Sequence, residues 1–313
     1  MPLARSPGPL ESLNTVTMVL RLPELVLTVA FTLMFFITSA LWTRFSSMQT
    51  LYLLICKFLQ IAKVVVIRSH RCKVSVMKTI VLAGGKGTRM ESITGGGNKH
   101  LLPLWDSTVI QQTTRDLERD WCIVTSPRDA DVFSQLIPDV PIYQQYEPTG
   151  IADAILSAKP FAYREPIAVL LGDNLFSNKI IPSSVSQGAK LTLANGYSQL
   201  NRFGVASLDE SGNIFSVLEK PKESQLPKSA KEHKVIAGFY VFDATVWDRL
   251  YDVGLSERNE KEIIPVLQSY LEEGTLFAGN KFGGNWTDIG VSPKSYEALV
   301  GVPENWSRGN SED

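Results

Sequence analysis

The sequence predicts an α/β fold with a mostly parallel sheet flanked by helices. Three observations carry that prediction. Beyond Met77, apolar runs of strand length alternate with longer mixed stretches. The polar clusters able to carry chemistry fall directly after those runs. The composition is that of an ordinary globular chain, with 313 residues, 44% apolar, 20% charged and a formal net charge of −1. Strands alternating with helices argue for a parallel sheet covered on both faces.

The elements follow in order. Strand-length runs are "TIVLA" (79–83), "CIVTS" (122–126), "PIAVLLG" (166–172), "KLTLANG" (190–196), "FGVASLD" (203–209), "NIFSVLEK" (213–220) and "VIAGFYVFD" (235–243). Helical stretches lie between several of them: "STVIQQTTRDLERD" (107–120), "TGIADAILSAKPFA" (149–162) and "EKEIIPVLQSYLEEG" (260–274). In the last, Ile263, Ile264, Val266, Leu267 and Leu271 recur close to helical spacing. The region from Gly204 to Asp243 is richer in strands and predicts a small antiparallel portion. Within it "DESGN" (Asp209 to Asn213) reads as a hairpin turn.

The first 76 residues differ from the rest. Residues 25–42, "LVLTVAFTLMFFITSALW", run without a charge for about a bilayer-spanning length. A second stretch, "MQTLYLLICKFLQIAKVVVI", is interrupted by Lys57 and Lys63 and reads as an interfacial helix. Arg44, Arg68, Arg71 and Lys73 follow the first segment, which by the positive-inside tendency orients the remainder toward the cytoplasm. "MKTIVLAGG" also looks like a natural start, which makes 1–76 an extension from a mis-chosen start or a dispensable addition. The organisation expected is therefore an apolar extension (1–76), a catalytic domain (77–300) and a tail (301–313). That domain is expected to be cytoplasmic, with membrane contact only through 1–76.

Several classes are disfavoured. A near-neutral charge gives no basic face for nucleic acid. Cys56, Cys72 and Cys122 are odd in number and widely spaced, so they form neither a disulfide framework nor a metal cluster and fit a reducing compartment. Three histidines are too few for a histidine-rich metal site.

Ligands of a parallel α/β sheet sit beyond the carboxyl ends of its strands. Three polar clusters fall there: "GGKGTR" after "TIVLA", "LGDN" (Leu171 to Asn174) after "IAVL", and "EKP" after "IFSVL". The order Gly84, Gly85, Lys86, Gly87, Thr88, Arg89 matches neither the dinucleotide fingerprint nor a P-loop. It leaves two readings, a tight turn with surface charges or a cradle of backbone N–H groups for an anion. In the second, Lys86 and Arg89 are counter-charges, Arg89 gripping phosphate in bidentate fashion. Lys99, in "NKHLLPL", is a further candidate cation.

The segments "LAGGKGTRM", "NKHLLPL", "QYEPTGIADA", "LLGDNLF", "RFGVASLDESGNIFSVLEKP", "IAGFYVFD" and "NWTDIG" occur in that order. As a set they resemble the sugar-1-phosphate nucleotidyltransferases over Met77 to about Val300, and in particular the short glucose-1-phosphate thymidylyltransferases. The resemblance implies a Rossmann-like nucleotidyltransferase sheet with an antiparallel sugar-binding portion. It implies attack of a sugar 1-phosphate on the α-phosphorus of a nucleoside triphosphate, dTTP favoured, with Mg²⁺ as cofactor and pyrophosphate as leaving group. Two anions react without a covalent intermediate, so positioning and charge neutralisation carry such a reaction.

Site residues implied by the resemblance follow one by one. Leu82 and Ala83 bring the chain to the nucleotide, and Gly84, Gly85 and Gly87 let backbone approach the triphosphate. Arg89 and Lys99 hold its oxygens. Gln145 and Gly150 fall where the family reads the base. Asp173 and Asp288 are the hard oxygen ligands that Mg²⁺ requires. Gly204 and Glu219 face the sugar hydroxyls, Lys220 holds the sugar phosphate, and Arg258 assists it. Arg89, Lys99, Asp173 and Lys220 form the catalytic set.

Departures from the family pattern are His100 in place of glutamine near the nucleoside, Ser92 in place of proline, and a shortened helix after "DSTVIQQ". The chain also stops soon after "SYEALV", without a long helical tail, so feedback regulation and tetramers are not implied; a homo-oligomer is allowed. Alternatives are use of UTP or another triphosphate, or a silent sugar-nucleotide-binding regulatory module. Retention of both metal carboxylates favours an enzyme.

Overall fold

The computed structural model describes residues 77–85, 87–117, 120–178, 185–195, 200–279 and 285–301. The apolar extension expected over 1–76, with its segment 25–42, lies outside the described residues, as do Lys86 and residues 302–313 of the tail. Among the described residues no helix is long and apolar enough to cross a membrane.

Strands are β1 (Lys78–Leu82), β2 (Pro103–Leu104), β3 (Ser107–Thr108), β4 (Trp121–Thr125), β5 (Ile142–Gln144), β6 (Ile167–Leu171), β7 (Asn174–Phe176), β8 (Ala189–Ala194), β9 (Gly204–Leu208), β10 (Ile214–Glu219), β11 (Glu232–Phe242), β12 (Leu276–Ala278) and β13 (Trp286–Asp288). The main helices are α1 (Val109–Thr114), α2 (Ala130–Leu136), α3 (Ile151–Ser157), α4 (Val246–Asp252), α5 (Ile264–Glu272) and α6 (Pro293–Val300). The strands expected from the sequence are all present, within a residue or two at each end except where β11 begins three residues early.

The centre of the sheet is parallel, as expected, in the order β5-β4-β1-β6. β1 is innermost, with Val81 paired to Ile123 on one side and Leu170 on the other. Beyond β6 the same sheet continues antiparallel through β11, which also pairs with β8 and β9, while β10 pairs with β9. The antiparallel part thus extends the central sheet rather than standing apart from it. The turn at 209–213 joins β9 to β10: Asp209 Oδ1 accepts the Ser211 and Asn213 amides, at 2.9 and 2.8 Å.

The central strands are buried almost throughout, and successive side chains alternate between two covered faces. Ile80, Leu82, Cys122, Val124, Ile167 and Val169 pack under α3, α4 and α5, against Ile155, Trp247, Leu267 and Tyr270. The intervening Val81, Ile123, Ala168 and Leu170 face the other way, toward Ile110 of α1 and Phe133 of α2. Each fully buried aliphatic side chain contributes about 1.5–3 kcal/mol, so the β1–β4–β6 core rigidly fixes the loops that leave its carboxyl edge. A smaller cluster of Met90, Leu104, Val109, Leu175, Ile289 and Leu299 ties the segment after the glycine turn to β7 and to the turn following β13.

Candidate active site

Two polar loops leave the carboxyl ends of β1 and β6 side by side. Ala83 donates its N–H to Val124 O (2.8 Å), and Gly172 donates to Leu82 O (2.8 Å). The glycine turn then begins: Gly85 and Gly87 adopt φ of 106° and 59°, the left-handed region that side chains disfavour. Arg89 stands exposed on the single 3₁₀ turn Thr88–Met90. Leu82 and Ala83 are buried, so at this position they contribute framework rather than an open surface.

Asp173 lies in the turn between β6 and β7. β7 pairs antiparallel with β13, and its first residue, Asn174, is the register partner of Asp288. This ribbon brings the two carboxylates predicted from distant motifs to one place. Asn174 donates to Asp173 Oδ1 (2.8 Å) and accepts from Trp286 Nε1 (2.9 Å), and Ile289 N–H donates to the Asp173 carbonyl (3.0 Å). Asp288 Oδ1 accepts the Gly290 N–H at 2.7 Å. Lys99, on the 3₁₀ turn Lys99–Leu101, forms an ion pair with Asp173 Oδ2.

Gly290 shows how tightly this group is closed. A Cβ there would stand 2.5 Å from Asp173 Oδ2 and 3.2 Å from Asp288 Oδ1, and would collide with Lys99 Nζ. No residue with a side chain fits without moving the charged cluster.

The electrostatics divide the two carboxyls. Burial acts to raise the Asp173 pKa, but Lys99 and the Asn174 amide outweigh it and hold the group at about 2. Asp288 is pushed up to about 7, first by burial and then by the negative charge of Asp173, against the pull of Lys99, the Gly290 N–H and Arg89. Lys99 is raised: burial opposes its charge, but both carboxylates hold its proton. Such buried like charges with one lysine between them are a common mark of functional sites.

Behind Lys99 lies a network that sequence reasoning did not assign. Asn98 donates to Ala83 O (3.0 Å) and to Asp129 Oδ2 (2.9 Å), while its Oδ1 accepts the His100 N–H (3.0 Å). His100 Nδ1 lies 2.6 Å from the same Oδ1, and burial pushes the imidazole pKa down to about 3, so the ring is neutral. The expectation that residue 100 lies near the nucleoside needs qualifying: His100 is only 2% exposed and its ring lies against Gly172. Asn98 was visible in "NKHLLPL", but nothing in a single sequence marks an asparagine as a buried hub.

Gln145 is buried beside the glycine turn. Its Nε2 donates to Gly150 O (3.1 Å) and Asp153 Oδ2 (3.0 Å), and its Oε1 lies 3.6 Å from where a Cβ on Gly84 would stand. Gly150 precedes α3 as its N-cap. The structure therefore groups Gln145 and Gly150 with Gly84.

The residues expected on the sugar side also converge. Glu219 Oε1 lies 2.9 Å from Lys220 Nζ and 3.1 Å from Arg258 Nη2, and Arg258 pairs with Glu262 at 2.6 Å. Gly204 pairs with Glu219 across β9 and β10, its notional Cβ 3.6 Å from Glu219 Oε2. Lys220 adopts a φ of 44°, although Pro221 after it favours extended backbone. The reversal brings Lys220 to the same side as its neighbour Glu219, where a regular strand would part them. Tyr240, buried on β11, connects the clusters: burial raises its hydroxyl pKa, with Glu219, Asp288 and Asp173 adding to the rise.

The donor set fits a divalent cation shared with substrate. Asp173 and Asp288 are hard oxygen donors, and the repulsion that raises Asp288 is what a cation between them would relieve. Among the described residues no group of three or more His, Cys, Asp or Glu side chains forms a cage. Mg²⁺ suits so sparse a set, because it keeps water and phosphate oxygens as its other ligands.

Comparison with known proteins gives the family. Residues 78–304 match the nucleotidyl transferase family. The chain is 32% identical over 270 residues to a glucose-1-phosphate thymidylyltransferase of Mycolicibacterium smegmatis, covering 76% of this chain and 91% of that protein. It is 33% identical over 241 residues to the protein of the same name from Neisseria gonorrhoeae, covering 71% and 81%. A Bacillus anthracis crystal structure described as a glucose-1-phosphate thymidylyltransferase superimposes with a TM-score of 0.61 at 30% identity, covering 75% of this chain and all of that one. A UDP-glucose pyrophosphorylase superimposes with a TM-score of 0.60 at 22% identity, covering 72% and 97%, and shares the fold. On the family match, the relatives and the assembled site, the chain belongs to the nucleotidyl transferase family, among its sugar-1-phosphate nucleotidyltransferases.

Proposed function

We propose that the chain transfers the thymidylyl group of dTTP to glucose 1-phosphate, with Mg²⁺, forming dTDP-glucose and releasing pyrophosphate. The observation that carries this reading is the Lys99–Asp173–Asp288 cluster closed against Gly290, beside a glycine turn and facing the Glu219–Lys220–Arg258 group. The names of the relatives support dTTP and glucose 1-phosphate.

In this mechanism one phosphate oxygen of the sugar 1-phosphate attacks the α-phosphorus, and the bond from that phosphorus to the bridging oxygen of pyrophosphate breaks. The backbone of Gly84, Gly85 and Gly87 lies along the triphosphate. Arg89, exposed and unencumbered by any nearby carboxylate hydrogen bond among the described residues, takes the charge developing on pyrophosphate. Lys99 holds α-phosphate oxygens and keeps Asp173 ionised and oriented. Lys220 and Arg258 release their hold on Glu219 to receive the sugar phosphate, which leaves Glu219 free to accept hydrogen bonds from sugar hydroxyls. Asp173 and Asp288 would hold Mg²⁺, which when bound supplies charge neutralisation to the phosphate oxygens. Residues 77–300 carry the whole reaction in this reading.

The test is pyrophosphate release from the full chain and from a chain starting at Met77, with Mg²⁺, across nucleoside triphosphates and sugar 1-phosphates. Release that requires dTTP and glucose 1-phosphate together, equal for both chains, is expected. A clear preference for UTP would move the reading to the uridylyl reaction. Absence of release from a folded protein that binds nucleotide would replace it with a regulatory role.

A further inference from the structure

Gln145 can offer a ligand only one of its two amide atoms. Its side chain is nine-tenths buried, with 8% of the residue exposed. Both hydrogens of Nε2 are engaged, one with the Gly150 carbonyl (3.1 Å) and one with Asp153 Oδ2 (3.0 Å). A backbone carbonyl and an ionised carboxylate are acceptors only. Reversing the amide would set Oε1 against two oxygens, so the rotamer is fixed by charge and not by packing alone. Its main-chain N–H donates to Thr125 O (2.8 Å), which anchors the residue at the carboxyl edge of β4.

The atom left over is Oε1. Among the described residues no protein donor reaches it, and it lies beside the glycine turn, 3.6 Å from the notional Cβ of Gly84. An amide oxygen without a protein partner, on a side chain held in place beside the glycine turn, is the one atom of Gln145 open to a donor from the ligand.

We infer that Asp153 is a specificity-determining positioning residue, which holds the Gln145 amide so that the base site accepts a hydrogen bond and cannot donate one there. The inference rests on the nucleotide site proposed above. It restricts the triphosphate to those whose base presents a ring N–H at the edge read, such as the N3–H of thymine or uracil. Cytosine is the same size but carries an acceptor lone pair at N3, which would face Oε1 with neither group satisfied. Discrimination by a missing donor at a buried acceptor is steep, about 10²-fold or more.

The experiment measures equilibrium binding of dTTP, UTP, CTP and N3-methyl-dTTP, with Mg²⁺ and without sugar phosphate, alongside pyrophosphate release. Wild-type protein should bind dTTP and UTP about 10²-fold more tightly than CTP, and N3-methyl-dTTP as weakly as CTP. Asp153→Asn should reduce the dTTP-over-CTP ratio by about tenfold, because asparagine can turn its own amide to accommodate a reversed Gln145. A purely structural role for Asp153 would weaken dTTP and CTP alike and leave the ratio unchanged, which overturns the inference. Equal binding of dTTP and N3-methyl-dTTP by the wild type overturns it without any variant. If dTTP and CTP are turned over equally well, the inference fails while the proposed reaction stands; if no triphosphate binds, both fail.

Discussion

Asp288 faces Asp173 across the β7–β13 ribbon, with Asn174 as its register partner and Lys99 bonded to the nearer carboxylate. Two buried acids share one lysine, so the pair calls for a cation to balance its second negative charge. Asp173→Asn and Asp288→Asn are each expected to lower Mg²⁺-dependent turnover by about 10²-fold or more, the scale of one lost electrostatic contribution. Chelation of divalent ions should abolish turnover in the parent protein. Steady-state pyrophosphate release measures all three, and near-normal rates in both variants would reject the metal assignment.

Gly290→Ala tests closure of the same cluster without changing any charge. Its Cβ would stand 2.5 Å from Asp173 Oδ2, so the carboxylate and Lys99 must shift. Displacing positioned groups by about 1 Å costs turnover on the order of 10²-fold, while overpacking costs roughly 1–3 kcal/mol of stability. A folded variant with a modestly lower melting temperature and greatly reduced kcat is expected. Unchanged kcat would show that the cluster can move without consequence.

Much of this architecture was legible beforehand because apolar periodicity and strand-end glycines are local signals. β1, β4 and β6 were read from uninterrupted apolar runs, which full burial on both faces produces. β5, β7, β12 and β13 are three residues each and carry no periodic signature; tertiary pairing alone makes them strands. The same limit applies to the site. Motif order pointed to Asp173 and Asp288, but their shared ribbon, the space taken by Gly290 and the Asn98 hub depend on contacts between distant segments. Arg258 lies 39 residues from Glu219 in the chain, and only their hydrogen bond joins it to the group expected on the sugar side.

Lys220→Ala should act on the sugar phosphate and little on the nucleotide. The Lys220 ammonium lies 2.9 Å from Glu219 Oε1, held there by a left-handed backbone that places both side chains together. Losing one charged hydrogen bond, worth about 1.5–3 kcal/mol, predicts a KM for glucose 1-phosphate raised about 10–100-fold. The KM for dTTP should stay within about twofold. An unchanged sugar-phosphate KM would remove Lys220 from that subsite.

The last prediction concerns stability and pH in metal-free protein. His100, held down to about 3, stays neutral in the fold, whereas the unfolded chain protonates it below about 6.5. Its contribution is therefore present above about pH 6.5 and is lost as pH falls toward 3. Asp288, pushed up to about 7, has the opposite sign: the fold binds a proton that the unfolded chain releases above about 4, so this contribution is present at low pH and is lost as pH rises through 7. Between about pH 4.5 and 6.5 the two slopes, each approaching 1.4 kcal/mol per pH unit, oppose and nearly cancel. Urea midpoints of the parent protein should accordingly change little across that window. His100→Gln leaves the Asp288 slope alone, so stability should rise on acidification; Asp288→Asn leaves the His100 slope alone, so stability should fall. Parallel curves for the parent and both variants would show that neither group titrates as its surroundings require.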